Sequence, residues 1–549
     1  FSNYFQKRAD TPTGAAYDFQ TGKDIGRYYV ADNVGVSDNN TTNYKTQLNG
    51  RLQYETTIAQ DHNIGAMFVY SEEYWHTRST GASRNDRIHP STSEINSALT
   101  NVQSNSGSSA SEGLRSYIGR MNYSAYDKYL LEFSFRVDGS SKFIKGHQYG
   151  FFPTVAVGWR FTEEEFLKKY LSSWLSSGKL RASWGKLGDN SGVGRFEQLE
   201  TLTAMNYMSS DVVKGFVNKK MINKDLSWEV STDINVGLDL GFLNNRLRTE
   251  IDFYNRLRTC MNRPSQMSIH LTGAYSAPRA NIGDLLNRGL ELNLTWKDKI
   301  GNVEYSVNLN GAYNRTVLKE WNEFLSRGWV YLDMPYHFLY VYENNGIAQT
   351  WQDIYNNTPQ GLSPGDVIRK DLNGDGIIDG KDKKAYPNIQ RDRPTTTYGI
   401  TLQAAWKGFD ISMLFNGGLG RKDFWLTDFN NTAFADRRYA STWDHWTEPW
   451  SLENRGGEWP RLGTSTDRSD NSYWLYNMNY LRMKNIMLGY NLPKKLLSKI
   501  SMTNLRIYAS AENLFTVTQY PGLDPEKKNS ARDLYPINRS FSIGLNVSF

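Results

Sequence analysis

From about residue 44 onward, apolar and polar side chains alternate at every second position, segment after segment. Ile234, Val236, Leu238 and Leu240 are interleaved with Asn235, Gly237 and Asp239. Leu247, Ile251 and Phe253 stand opposed to Arg248, Glu250, Asp252 and Tyr254. Leu290, Leu292, Leu294 and Trp296 alternate with Glu291, Asn293 and Thr295, and Phe541, Ile543, Leu545, Val547 and Phe549 with Ser542, Gly544, Asn546 and Ser548. Successive side chains of a strand point to opposite faces, so each run makes a strand with one apolar and one polar face. Surface strands of a stacked sandwich show the same alternation. The connections separate the two readings.

About sixteen strands are expected, near 1–8, 44–58, 61–76, 114–126, 128–140, 149–162, 176–187, 230–241, 245–258, 287–298, 303–314, 396–406, 408–418, 480–491, 503–514 and 539–549. Short connections fall at Ala59-Gln60, Asp127, Leu243-Asn244, Lys299 to Asn302 and Lys407. On the same side lie 163–175 and 492–502, which read as one or two helical turns. The other side carries 9–43, 77–113, 188–229, 259–286, 315–395, 419–479 and 515–538, with 141–148 its one short member. If every strand reverses, all long loops gather at one end. A stack of sandwiches has no reason to do this, whereas an outer-membrane barrel has short periplasmic turns and long outer loops. Strands of roughly 10 to 14 residues are long enough for a tilted span.

Composition agrees. The 549 residues include 34 Tyr, 25 Phe and 16 Trp, yet only 39% are hydrophobic. Apolar side chains facing lipid and polar ones facing a wet lumen reconcile many rings with a hydrophilic average. Tyr74, Trp75, Trp159, Trp296, Trp406, Phe415 and Tyr490 lie near strand ends and are expected to form interfacial girdles. With 63 Lys+Arg against 57 Asp+Glu, the chain lacks the dense basic stripe of a nucleic-acid binder. One cysteine, Cys260, excludes an internal disulfide and a Cys-based zinc site. No apolar run reaches the length of a membrane helix, and residue 1 does not open an export signal.

Several phrases match a known family: FRVDGSSKF (135–143), YGFFPTVAVGWRFTEEEF (149–166), KLRASWGKLGDN (179–190), LSWEVSTDINVGLDLGFLNNRLRTEIDFYNR (226–256) and NIGDLLNRGLELNLTW (281–296). GDVIRKDLNGDGIID (365–379), PTTTYGITLQAAWKGFDISMLFNG (394–417), YWLYNMNYLRMKNIMLGYNLP (473–493), IYASAENLFTVTQYPGLDPE (507–526) and the closing YPINRSFSIGLNVSF continue the series in order. Over about residues 130 to 549 the chain resembles the C-terminal two-thirds of SusC/RagA-type TonB-dependent outer-membrane transporters of the Bacteroidetes. The resemblance implies a transmembrane antiparallel β-barrel of 22 strands around a plug. With about 16 strands in this chain, roughly six are expected elsewhere, and 1–549 is expected to be the C-terminal part of the barrel. The family's N-terminal extension, TonB box and plug find no match here. The partners implied are a SusD-like surface lipoprotein acting as a lid, the TonB complex, outer-membrane lipid and a large nutrient, either glycan or peptide.

One motif carries chemistry of its own. Asp371, Asn373, Asp375, Ile377, Asp379 and Asp382 occupy positions 1, 3, 5, 7, 9 and 12 of an EF-hand-like loop, with Gly376 at the sharp turn. Four carboxylates, one amide and the Ile377 carbonyl are hard oxygen donors suited to calcium, in a structural role. Position 12 is Asp, with shorter reach than Glu, and Pro364 and Pro387 bracket the loop in place of helices. The plainer alternative is a solvated Asp/Asn/Gly turn. Trp425, Trp443, Trp446, Trp450, Trp459 and Trp474 crowd segment 419–479. They face substrate or lid, or pack the loop's own small core.

Searches for catalytic motifs find no HExxH, G-x-S-x-G, P-loop or G-x-G-x-x-G, so no enzyme is expected. Arg248, Glu250, Asp252 and Tyr254 are expected to face the lumen. The competing readings are a secreted calcium-dependent β-rich carbohydrate-binding protein and a glycoside hydrolase, which would need paired carboxylates.

Overall fold

The computed structural model describes residues 2–7, 14–18, 23–28, 35–85, 94–98, 103–171, 174–208, 212–218, 220–267, 270, 277–323, 331–336, 338–424, 448–461, 471–493, 497, 502–526 and 537–548. Sixteen of its strands form one antiparallel sheet. They are β1 (Ser2–Lys7), β2 (Val36–Ile58), β3 (His62–Arg84), β4 (Gln103–Ala125), β5 (Tyr129–Ser140), β6 (Tyr149–Trp159), β7 (Leu175–Asp189) and β8 (Glu229–Phe242). There follow β9 (Leu247–Thr259), β10 (Asp284–Ile300), β11 (Val303–Glu320), β12 (Thr396–Trp406), β13 (Phe409–Leu419), β14 (Tyr480–Asn491), β15 (Asn504–Thr518) and β16 (Ser540–Ser548). Each pairs with its predecessor in sequence, so the sheet is an unbroken meander. Six shorter two-stranded ladders lie in the long connections.

All sixteen expected strands are present, but several run further than the alternation indicated, and β2, β3 and β4 do so the most. β2, β3 and β4 each extend over 23 residues, so 36–43, 77–84 and 103–113 are ladder and not loop. Those extensions are built mainly of Ser, Thr, Asn and Gly, whose backbones pair in register (Thr80 with Asn40 and Gly107) without an apolar face. Beyond the apolar band the ladder stands in water, and period-two hydropathy stops reporting on it.

The short turns are tight reversals made of left-handed residues. Ala59 and Gln60 have φ of 53° and 69°, Tyr126 and Asp127 53° and 54°, and Lys407 and Gly408 47° and 90°. Two consecutive positive φ values give a turn whose twist matches that of the flanking strands. On the same side, α1 (Glu165–Leu171) forms the expected helical turn. Glu164 anchors it to the wall, accepting from Tyr129 Oη at 2.6 Å and Trp159 Nε1 at 3.2 Å. Of the second expected turn, 492–502, most lies outside the described residues.

Register decides which way each face points. Across β8, β9, β10 and β11, Val236, Phe253, Leu290 and Tyr313 form one cross-strand row, and Gly237, Asp252, Glu291 and Ala312 the row beside it. The apolar row is bare: Phe253 is 51% exposed, Leu290 49% and, on β16, Ile543 84%. No second layer covers these faces among the described residues. A sandwich would have pressed them together. The buried apolar clusters lie instead at the long-loop end, around Phe143, Phe152, Val193, Leu226 and Trp228, and around Leu339, Val341, Phe424 and Trp474. A sheet that is greasy outside and charged inside, with its core displaced into the loops, is the inverse of a soluble β-protein.

Candidate functional site

The polar face of the sheet is a wall of cross-strand ion pairs. Arg120 reaches Glu132 at 2.7 Å, Arg256 reaches Asp233 at 2.6 Å, and Arg506 reaches Asp410 at 2.5 Å. Arg181 bridges two strands, with Nε on Asp239 at 3.0 Å and Nη2 on Asp252 at 2.6 Å. It crosses β8 at Gly237, where a Cβ would sit 2.6 Å from the guanidinium carbon and 2.7 Å from Asp252 Oδ1. Glycine is therefore the residue that lets one arginine tie β7 to β9. Arg248, Glu250, Asp252 and Tyr254 occupy this polar parity, as expected for the lumen. Near the short-turn end the wall encloses a hollow of about 900 Å³, lined in part by Glu55, Arg120, Asn122, Glu132, Lys179 and Arg181.

At the other end the long connections fold onto one another. Gln349 Oε1 accepts from Trp450 Nε1 at 2.8 Å and from the Gly456 amide at 2.8 Å. Arg461 grips Asp366 with two bonds, at 2.8 and 3.2 Å. Deeper in, Arg482 is almost wholly buried and donates to Thr516 Oγ1 at 2.8 Å, to Asp524 Oδ1 at 2.8 Å and to Glu526. Arg421, also buried, donates to the carbonyls of Pro525 and Glu526, both at 3.1 Å, and to Asp423. The described parts of connections 321–395, 420–479 and 519–539 are thus tied into one block, largely through buried charges. Burial pushes the phenols of Tyr476 and Tyr520 up to about 12 each, so both remain protonated at neutral pH. Neither Arg421 nor Arg482 was singled out from sequence. The available signal was an arginine inside the otherwise apolar start of β14.

Of the six tryptophans in this region, Trp425, Trp443 and Trp446 lie outside the described residues. Trp474 is 1% exposed and packs in the cluster with Leu339, Val341 and Phe424. Trp459 lies tilted beside it, with centroids 6.1 Å apart, and Trp450 is buried against Gln349. Trp450 and Trp474 thus belong to the block's interior, and Trp459 is half-buried at its edge.

The EF-hand-like loop lies at the long-loop end, between the short strands Val367–Arg369 and Lys383–Gln390. Asp371 accepts from the amides of Gly374 at 2.6 Å and Gly376 at 2.9 Å, with Gly376 at φ +80°. Asn373 accepts from the Asp375 amide, Asp375 from the Ile377 amide and Asp379 from the Lys381 amide. Each of these oxygens retains lone pairs for a cation. Asp382 differs. It is fully buried, and its carboxylate accepts from the amides of Leu372, Asn373 and Asp379. The Asp379 amide, with those of Leu372 and Asn373, holds its carboxyl below the usual carboxylate range. Asp382 therefore closes the loop on itself. Among the described residues no group of three or more His, Cys, Asp or Glu side chains converges as a ready metal site.

A meander with bare apolar faces, a charged interior and loops massed at one end defines a transmembrane β-barrel. The comparisons are specific. The family model described as "TonB dependent receptor-like, beta-barrel" matches residues 1–360, and the chain belongs to that family of outer-membrane barrels. It is 28% identical to TonB-dependent receptor P3 of Formosa agariphila, over 99% of this chain and 58% of the relative. It is 30% identical to TonB-dependent receptor SusC of Bacteroides thetaiotaomicron, over 79% of this chain and 44% of the relative. The solved structure of the RagAB peptide transporter shares its fold, with a TM-score of 0.79 at 23% identity, covering 94% of this chain and 56% of that one. The chain thus spans about half the length of the curated relatives it matches. The soluble carbohydrate-binding and hydrolase readings find no support in these comparisons.

Proposed function

We propose that this chain forms most of the wall and the outer loop block of a SusC-like TonB-dependent importer, which moves a large nutrient, glycan or peptide, into the periplasm without chemical change. The observation that carries this reading is the inversion of the faces: apolar rows outward, paired charges inward, and a buried-charge block over one end. The plug and the segment that contacts TonB belong, on this reading, to the part of the family's length that this chain does not span. A SusD-like lipoprotein would seat on the loop end. Kinship with SusC supports that partner, and likeness in fold to the RagAB peptide transporter supports a polymeric nutrient as cargo.

Extraction of the full-length protein tests the frame. It is expected to require detergent and to migrate differently on gels before and after boiling; release into buffer would overturn the reading. Affinity purification from native membranes is expected to recover a surface lipoprotein, and its absence would remove the lid. Calcium at Asp371, Asn373, Asp375, Asp379 and the Ile377 carbonyl is part of the same proposal, as a stiffener of the outer loop. Chelation is expected to accelerate proteolysis between 371 and 382, and Asp371→Ala with Asp375→Ala to abolish the calcium dependence. Identical cleavage with and without calcium would retire the ion.

A further inference from the structure

Two pairs of adjacent strands solve the same problem at the upper edge of the apolar band, and one solution is incomplete. On β3 and β4 the outward rings of Tyr70 and Tyr117 lie opposite each other, with centroids 5.5 Å apart. One same-face step further toward the loops, Glu72 stands opposite Arg115 and forms an ion pair at 2.7 Å. On β10 and β11 the outward pair is Leu290 and Tyr313, each 49% exposed. One step further toward the loops, Arg288 stands opposite Arg315. Like charges directly opposite across a ladder repel.

Nothing among the described residues relieves this pair. Arg288 Nε donates to Asn255 Oδ1 at 2.7 Å, a neutral contact that aims the guanidinium. Arg315 Nε is buried without a hydrogen-bond partner, an unmet donor on a permanently charged group. Two outward steps beyond Arg315 on β11, past Val317, Lys319 is ion-paired with Asp333. Together with Leu286 and Val317, these four side chains line a hollow of about 340 Å³. It therefore holds three cations against one carboxylate, over an apolar floor.

We propose that this hollow receives the phosphate of an outer-leaflet lipid headgroup. The assignment rests on the bilayer-spanning reading, which fixes the height of the site. Same-face residues repeat about every 7 Å along a strand, so the arginines sit one such step above the exposed Leu290 and Tyr313. Exposed tyrosines mark the membrane interface, and the next level outward is that of the headgroups. Two guanidiniums lining one hollow offer the forked donors that a phosphate's oxygens accept. A free phosphate shares that chemistry. A lipid would also lay its chains over the Leu290 and Tyr313 row beneath, so it is expected to bind more tightly than inorganic phosphate.

The test uses the full-length protein, delipidated in detergent and titrated with phosphatidic acid or with inorganic phosphate, with binding read by native mass spectrometry. Wild type is expected to bind phosphatidic acid well below the inorganic phosphate concentration it needs. Arg288→Gln with Arg315→Gln is expected to weaken lipid binding about fivefold per cation removed, roughly 25-fold in all. Arg115→Gln on the neutralised pair serves as control and is expected to change nothing. Equal binding by wild type and the double variant overturns the proposal, as does equal affinity for lipid and inorganic phosphate. Heat-modifiable migration is recorded for each variant. If wild type fails to show it, the membrane reading falls and takes this site with it; if all variants show it and lipid binding is unaltered, only the headgroup site falls.

Discussion

The barrel wall and the outer loop block solve the burial problem in opposite directions. In the wall, Phe253 and Ile543 stay bare of protein, and the charges pair with neighbours on the next strand, as Arg120 does with Glu132. In the block, Trp474 is enclosed by protein, and the charges that matter are buried: Arg482 with Asp524 and Glu526, and Arg421 with Asp423. The wall leaves its apolar area to hydrocarbon, so its strands need only backbone ladders and local pairs. The block stands in water and must build a core from segments far apart in sequence. Removal of a contact should therefore cost more in the block than in the lumen, and the outer face of the wall should be sensitive to charge alone.

The largest effect is expected at Arg482. Arg482→Ala leaves Asp524 and Glu526 facing one another in a buried site, and breaking such a pair costs about 3–5 kcal/mol. Hydrogen exchange and proteolysis around 519–526 should rise sharply while heat-modifiable migration persists. If the wall melts together with the block, the two regions form one cooperative unit and the contrast between them is wrong. The next effect belongs to the wall. Val236→Arg places a charge on the bare row and should cost about 2–4 kcal/mol of stability in bilayers. Asn235→Arg, one residue away on the lumenal face, should cost little. Similar losses for both would mean that the two faces are not lipid and lumen.

The same contrast explains what could be read from the chain before its fold was known. Alternation located the strands because each has one face in hydrocarbon, and that face is written locally, as in Ile234 to Leu240. It lost β2, β3 and β4 where they leave the bilayer, since Thr77 to Arg84 continues the ladder without an apolar face. Of the expected girdle residues, Trp159, Trp296, Trp406 and Tyr490 lie toward the short-turn ends of their strands, whereas Tyr74, Trp75 and Phe415 fall inside theirs. The block was illegible because its bonds are nonlocal: Trp450 finds Gln349 across 101 positions, and Arg482 finds Asp524 across 42. No periodicity encodes such pairs. Spacing alone also could not show that Asp382 would turn to three backbone amides, because the EF-hand pattern specifies positions and not which lone pairs remain free.

Asp382 gives a smaller effect, confined to one loop. Asp382→Ala strands the amides of Leu372, Asn373 and Asp379, and proteolysis at 371–382 should quicken about tenfold. Acid should do the same to wild type. The folded carboxyl is held below its ordinary value, so its contribution is complete above about pH 4 and is lost as pH falls through the folded value. Protection should be level from neutrality down to about pH 4 and then decline. Loss of protection near pH 6 would point to a different titrating group.

The smallest effect is expected where the contrast predicts near indifference. Glu132→Gln removes the partner of Arg120 in the lumen, where both side chains are substantially exposed, and exposed pairs contribute about 0–1 kcal/mol. The midpoint of thermal unfolding should scarcely move, and added salt should not separate wild type from variant. A loss as large as that of Arg482→Ala would mean that the Arg120 guanidinium is desolvated in the complete barrel. In that case some other part of the protein packs against this stretch of wall, and the pair belongs with the buried charges of the block. The size of this one substitution thus reports whether the lumen beside Arg120 is wet, which decides whether the hollow there offers a passage or a seat.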